Sequence, residues 1–140
     1  MSRVFWDTNL FIYLMEGSGE RARTVVSLRE RMLARGDELY TSALTLGEIL
    51  VKPAEAGDTA LLQEYEQTIS AGAVIVPFDH FAARAYAVIR KDRGIRPPDA
   101  IQLACAVNAR VDLFITNDER LSQKVIQGIH FITSLDRTLL

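Results

Sequence analysis

Hydrophobic and polar positions along the chain follow two rhythms. Five short runs rich in β-branched and aromatic residues recur: VFW at 4–6, ELYTS at 38–42, AVIVPF at 73–78, DLFIT at 112–116 and HFITS at 130–134. Each has the length and composition of a buried strand. Between them lie longer stretches with helical spacing, and strands that alternate with helices imply parallel βαβ units. The pattern predicts the α/β class. Residues 1–140 read as a single domain, because no repeat or low-complexity tract interrupts them. KPAEAGD at 52–58 and RGIRPP at 93–98 are short enough for ordinary loops.

The helical stretches carry recognisable ends. From Glu20 to Arg35, the residues Ala22, Val25, Val26, Leu28, Met32 and Leu33 fall in one arc, and Gly36 supplies a stop. A second segment runs from Thr45 to Lys52 and ends before Pro53. A third, Asp58 to Ser70, and a fourth, Asp79 to Arg93 before Gly94, each open on a plausible N-cap. The helix that opens at Thr8 and Asn9 is different. LFIYLM at 10–15 is apolar at six consecutive positions, so it has no polar face. The sheet covers one side, and the other side requires a second helix or a second protein.

Composition narrows the classes. With 140 residues, 49% hydrophobic and 24% charged, the chain can build one real core. A formal net charge of −2 gives no global basic signature, so any nucleic-acid contact rests on local patches. Cys105, the one cysteine, lies in the apolar IQLACAV and reads as a buried thiol in a reducing compartment. Met1 to Arg3 lead straight into a strand pattern, and no stretch approaches ~18 uncharged apolar residues. A cytoplasmic protein without a membrane span is expected.

Four carboxylates carry the candidate chemistry. Asp7 follows VFW, Glu48 sits in TLGE, Asp99 follows Pro98, and Asp118 follows FITN. Each has a local explanation taken singly. Asp7 and Asp118 suit N-caps, Glu48 stands at capping-box spacing from Thr45, and Asp99 suits the positive end of a helix. Jointly, all four fall just past a strand's C-terminal tip or in the first turn of a helix. In a doubly wound sheet these places share one rim. Carboxylates gathered there repel one another unless something positive sits among them. Oxygen-only ligands favour Mg²⁺ or Mn²⁺, which meet substrates through phosphate oxygens, so phosphate-ester chemistry leads.

DTNLFIYL at 7–14, TLGEIL at 45–50, PPDAIQLACA at 97–106 and FITNDERL at 114–121, in that order and spacing, resemble the PIN-domain ribonucleases. Within them, the chain is most similar to the small VapC-type toxins of type II toxin–antitoxin systems. The resemblance implies a three-layer α/β/α fold with a five-stranded parallel sheet in the order 3-2-1-4-5, which sets Asp7 and Asp118 on adjacent strands. It places metal-binding and catalytic acids at Asp7, Glu48, Asp99 and Asp118. It also implies a Mg²⁺ or Mn²⁺ cofactor, an RNA substrate, a cognate antitoxin protein and a homodimer. The expected reaction is hydrolysis by metal-activated water, leaving a 5′-phosphate and a 3′-hydroxyl. The alternative is a PIN-like RNA- or protein-binding module without turnover.

Neighbouring residues complete the expectations. Thr8, Asn9, Thr116 and Asn117 can orient a carboxylate or equally serve turn chemistry. Arg90, Lys91, Arg93 and Arg96 in RKDRGIR can steer an RNA backbone or simply solvate a helix end. Trp6, Tyr13 and Tyr40 are expected to fill the core, and His80 and His130 are assigned no chemistry. A receiver-type signalling module would need a further acid beside Asp7, a phosphorylatable Asp after the third strand and a Lys after the last strand, where HFITSLDRTLL offers none, and a phosphatase of the aspartyl-phosphate type would need an acid where Asn9 stands. Each reading therefore needs a residue that is missing.

Overall fold

A computed structural model describes residues 1–138, so the last two positions of the expected domain lie outside the described residues. Five parallel strands form one sheet: β1 (Arg3–Trp6), β2 (Glu38–Ser42), β3 (Val74–Val76), β4 (Leu113–Thr116) and β5 (Phe131–Ser134). Their order is β3-β2-β1-β4-β5, as the resemblance implies. The chain winds outward from β1 through β2 to β3, then crosses back to build β4 and β5 on β1's other side. Trp6 is in register with Ile115, so the point of reversal lies between β1 and β4.

Both faces of the sheet are covered, which accounts for the near-continuous apolar strands. Side chains alternate across the pleat. Val4, Trp6, Leu39 and Ile115 join one core with helices α1 (Thr8–Glu16), α2 (Gly19–Arg35), α3 (Ala43–Glu55) and α4 (Thr59–Gly72). Phe5, Tyr40, Val76 and Phe114 join the other with α5 (His80–Ile89), α6 (Pro97–Asn108) and the short α7 (Glu119–Ser122). The result is an α/β/α sandwich. No helix among the described residues is long and apolar enough to cross a membrane.

Several expected boundaries move, each for a local reason. Helix α3 starts at Ala43 because the Ser42 hydroxyl accepts the Thr45 N–H and caps it. It also runs through Pro53 to Glu55, since the buried Pro53 ring is retained inside the helix despite its missing N–H. Helix α5 ends at Ile89 rather than Arg93, and the Arg90 guanidinium turns back to the Ile95 carbonyl at 2.7 Å. Along α2 the buried stripe is Ala22, Val25, Leu28 and Met32, whereas Val26 and Leu33 are exposed. Gly36 ends that helix as expected, at φ 75°, with its N–H on the Met32 and Leu33 carbonyls.

The all-apolar α1 is covered on more than the sheet side. Leu10 and Phe11 are buried, and Ile12, Tyr13, Leu14 and Met15 are half-buried. Trp6 and Tyr40 lie in the core as expected, and Trp6 packs against Phe11 with ring centres 5.3 Å apart.

Candidate active site

Asp7 emerges where β1 stops pairing with β4: its N–H still donates to the Ile115 carbonyl at 3.0 Å. Its side chain then caps α1, with Oδ1 accepting the Thr8 N–H at 2.8 Å, while Oδ2 accepts the Thr116 hydroxyl at 2.8 Å. The cap that local chemistry predicted is real. It is made by a carboxylate that is only 8% exposed and has no cation bonded to it.

The remaining acids reach the same rim from three other elements. Glu48 lies on α3, and the capping-box reading fails there because Ser42, not Thr45, caps the helix. Glu48 instead accepts the Thr8 hydroxyl of α1 at 2.7 Å through Oε1. Asp99 stands in the first turn of α6 behind Pro97 and Pro98, where its negative charge complements the helix end. Asp118 follows β4 and caps α7, with Oδ1 accepting the Arg120 and Leu121 N–H groups. Together with Thr8, Asn9, Ile12, Arg96, Pro98 and Gln102, the four acids line one cleft of about 400 Å³.

The electrostatics of the cleft are those of like charge that is only partly compensated. Burial pushes the Asp7 carboxyl above the usual aspartate range. The Thr116 and Thr8 hydrogen bonds offset part of this, and Asp99 and Glu48 raise it further. Asp99 is raised by burial first and by Asp118 next, against partial relief from Arg96 and Arg120. Among the described residues, no three carboxylate, thiol or imidazole groups stand close enough to form a ready-made metal cage. The acids share a cleft without closing on one another, as repulsion requires where Arg96 and Arg120 relieve it only in part.

The donor set fits a hard divalent cation. Its acidic donors are four carboxylates, with no thiol or imidazole beside them, from four elements that converge on one rim, and two of the four carboxyls are already biased toward protonation. A bound cation would relieve that bias. Neither His80 nor His130 lines the cleft. His80 stacks on Phe81, and His130 faces Asp112 at 3.3 Å near the start of β4.

Of the four polar neighbours read from the sequence, Thr8 and Thr116 bond carboxylates directly. Asn9 lines the cleft. Asn117 turns away, donating to the Tyr13 hydroxyl at 2.7 Å. The basic run divides: Arg96 lines the cleft, while Arg90 braces its own loop. Two site residues escaped sequence reasoning. Arg120 lies 3.7 Å from Asp118, and a charge two residues beyond a cap is too common to signal it. Gln102 is 2% exposed and donates to Asp7, Thr8 and Thr45. Its signal was one polar residue inside the apolar IQLACA.

The family model described as PIN domain matches residues 4–126. No curated protein matches the chain significantly. Among solved structures, a chain of VapBC2 from Rickettsia felis, bound to a DNA fragment from their promoter, superposes with a TM-score of 0.73 at 14% identity, covering 94% of this chain and 98% of that one. DNA-bound VapBC from Salmonella typhimurium gives a TM-score of 0.69 at 21% identity, covering 96% and 99%. A toxin–antitoxin complex from Klebsiella pneumoniae gives 0.66 at 22% identity, covering 90% and 94%.

Proposed function

The chain belongs to the PIN domain family, and from that premise we propose that it is a Mg²⁺- or Mn²⁺-dependent endoribonuclease, the toxin of a toxin–antitoxin pair. The observation that carries the reading is the set of four acids, Asp7, Glu48, Asp99 and Asp118, facing one cleft at the sheet's point of reversal. These four would hold the metal. Once bound, it would supply Lewis-acid stabilisation of the phosphate and lower the pKa of a water molecule.

The chain's own residues do the rest. Thr116 and the Thr8 N–H fix the two oxygens of Asp7, and the Thr8 hydroxyl fixes Glu48. Arg96 lends the cleft positive charge for an RNA backbone. No histidine lines the cleft, and this reading commits its four carboxylates to the metal rather than to proton removal from a ribose 2′-hydroxyl. Attack by water on phosphorus, leaving a 5′-phosphate and a 3′-hydroxyl, is the fitting outcome.

The antitoxin half of the reading rests on the VapBC neighbours and on a groove. Ile12 and Met15 of α1, Ile49 and Pro53 of α3, and Leu61 and Tyr65 of α4 line an apolar trough. Ile12 and Glu48 border both trough and cleft, so a segment seated in the trough ends beside the acids. Hydrogen exchange across α1, α3 and α4 should slow when the antitoxin binds. Unchanged exchange there moves the interface elsewhere.

The enzymatic half is tested with the purified chain, an RNA oligonucleotide and Mn²⁺. Cleavage should yield 5′-phosphate ends and survive a 2′-deoxyribose on the 5′ side of the cut. A 2′,3′-cyclic phosphate refutes the mechanism. Metal-independent cleavage, or binding without cleavage, refutes the function.

A further inference from the structure

Behind the cleft lies a buried polar network that the proposed chemistry does not itself require. Its centre is Gln102, three residues after Asp99 and therefore on nearly the same face of α6. The Gln102 Nε2 donates to Thr45 Oγ1 at 2.7 Å, to Thr8 Oγ1 at 3.0 Å and, more weakly, to Asp7 Oδ1 at 3.3 Å. Its carbonyl oxygen accepts the Ser42 hydroxyl. Ser42, Thr45 and Thr8 are each buried.

The direction of every hydrogen in this network follows from its ends. Ser42 Oγ accepts the Thr45 N–H, which leaves its own hydrogen for the Gln102 carbonyl. Glu48 as a carboxylate only accepts, so Thr8 donates to it. The 3.1 Å contact between Thr8 and Thr45 must then run from Thr45 to Thr8. Thr45 in turn accepts from Gln102. Flipping the amide would aim its carbonyl at the Asp7 carboxylate and leave Ser42 facing an NH₂. The amide orientation is thus fixed by its surroundings, and a chain of donors runs from Gln102 through Thr45 and Thr8 to Glu48.

We infer that Gln102 is a positioning residue for the metal-binding acids: its amide ties Asp7, and Glu48 through two threonines, to the helix that carries Asp99. Ionised acids at those places repel, and the network is what holds two of them at fixed positions relative to the third. A neutral donor suits this work, since a lysine there would compensate the acids permanently and compete with a cation. The inference rests on the metal-site reading above and adds a residue to it.

The test measures Mn²⁺ affinity of the full chain without RNA, by electron paramagnetic resonance of free Mn²⁺, alongside circular dichroism and thermal melting. Gln102→Met keeps the shape of the side chain and removes its donors. It should stay folded and weaken Mn²⁺ binding about 10-fold or more, the usual cost of losing a residue that orients ligands. A folded Gln102→Met with wild-type affinity overturns the inference. Should that variant fail to fold, Thr45→Val and Thr45→Ser decide, because Thr45 links Gln102 to Thr8 without touching an acid: valine breaks that link and serine restores it. Weak binding by valine with recovery by serine supports the role, and equal affinities overturn it. Failure of the wild-type chain to bind Mn²⁺ is a different result, which removes the site itself and both readings with it.

Discussion

Asp7 and Asp37 sit at opposite ends of one parallel sheet, 8% and 7% exposed, and are held in opposite ways. Asp37 precedes β2, at the rim where the strands begin. One of its oxygens accepts the Ser2 N–H at 2.9 Å, and the other takes the Arg35 guanidinium at 3.0 Å from both Nε and Nη2. Asp7, at the rim where the strands end, receives neutral donors and faces other acids. One rim pairs its buried aspartate with a guanidinium. The other gives Asp7 neutral donors only, and function is read from that difference rather than from the aspartates themselves.

The largest effect should fall on chemistry at the acid rim. Asp7→Asn keeps the Thr8 cap but removes the charge of a proposed metal ligand, and on that reading Mn²⁺-dependent RNA cleavage should drop by more than about 100-fold. Asp37→Asn should leave cleavage per folded molecule unchanged. Rates measured on both variants at matched folded fractions check this, and comparable losses would erase the distinction between the rims.

Stability without metal should move in opposite directions at the two ends. Asp37→Ala strips the Ser2 N–H and Arg35 of their acceptor and should cost about 2 kcal/mol. Asp7→Asn removes a buried charge that has no cation, so the metal-free protein should gain on the order of 1 kcal/mol. Urea unfolding in chelator reports both. A loss for both variants would mean that Asp7 is a structural group like Asp37.

The same difference has a pH signature. Burial, then neighbouring acids, raise Asp7 and Asp99 above the ordinary aspartate value. In the metal-free state the folded chain therefore holds protons that the unfolded chain has already released. That contribution is complete below the ordinary aspartate range and is lost as pH rises through the raised folded values. The advantage of Asp7→Asn over wild type in chelator should accordingly shrink as pH falls from about 8 toward about 4. An advantage that grows on acidification would reverse the assignment.

How much of this was legible in the sequence differs between fold and site. The five strands were, because a parallel sheet covered on both faces writes short β-branched runs. Their order came from the family resemblance, since spacing alone leaves the winding open. The acids were legible as a set because they recur at one place in the βα scheme. What they bond to was not. Glu48 and Thr45 matched a capping box, yet Ser42 won the cap because it ends β2 in extended backbone one residue before the helix. Asn117 follows Thr116 directly, yet its amide crosses to Tyr13 on α1. Gln102 depends on partners 57 to 95 residues away in sequence, which no local pattern records.

The smallest expected effect concerns the cations of the acid rim. Arg120 lies 3.7 Å from Asp118, but its side chain is 69% exposed, so water and salt screen the pair. Exposed pairs of this kind contribute about 0–1 kcal/mol, and Arg120→Ala should shift the urea-derived stability of the metal-free protein by less than about 0.5 kcal/mol. Its charge nevertheless acts on Asp99 together with that of Arg96, so on the proposed reading it is a candidate phosphate contact. Each cation that neutralises a phosphate of single-stranded RNA steepens the fall of log affinity with log salt by about 0.7, so its removal should flatten the slope by that amount. Binding of a short RNA to the inactive Asp7→Asn background, with and without Arg120→Ala, measures that slope. A destabilisation above about 1 kcal/mol with an unchanged slope would make Arg120 the structural partner of Asp118. The acid rim would then be internally compensated after all, in the manner of Arg35 and Asp37.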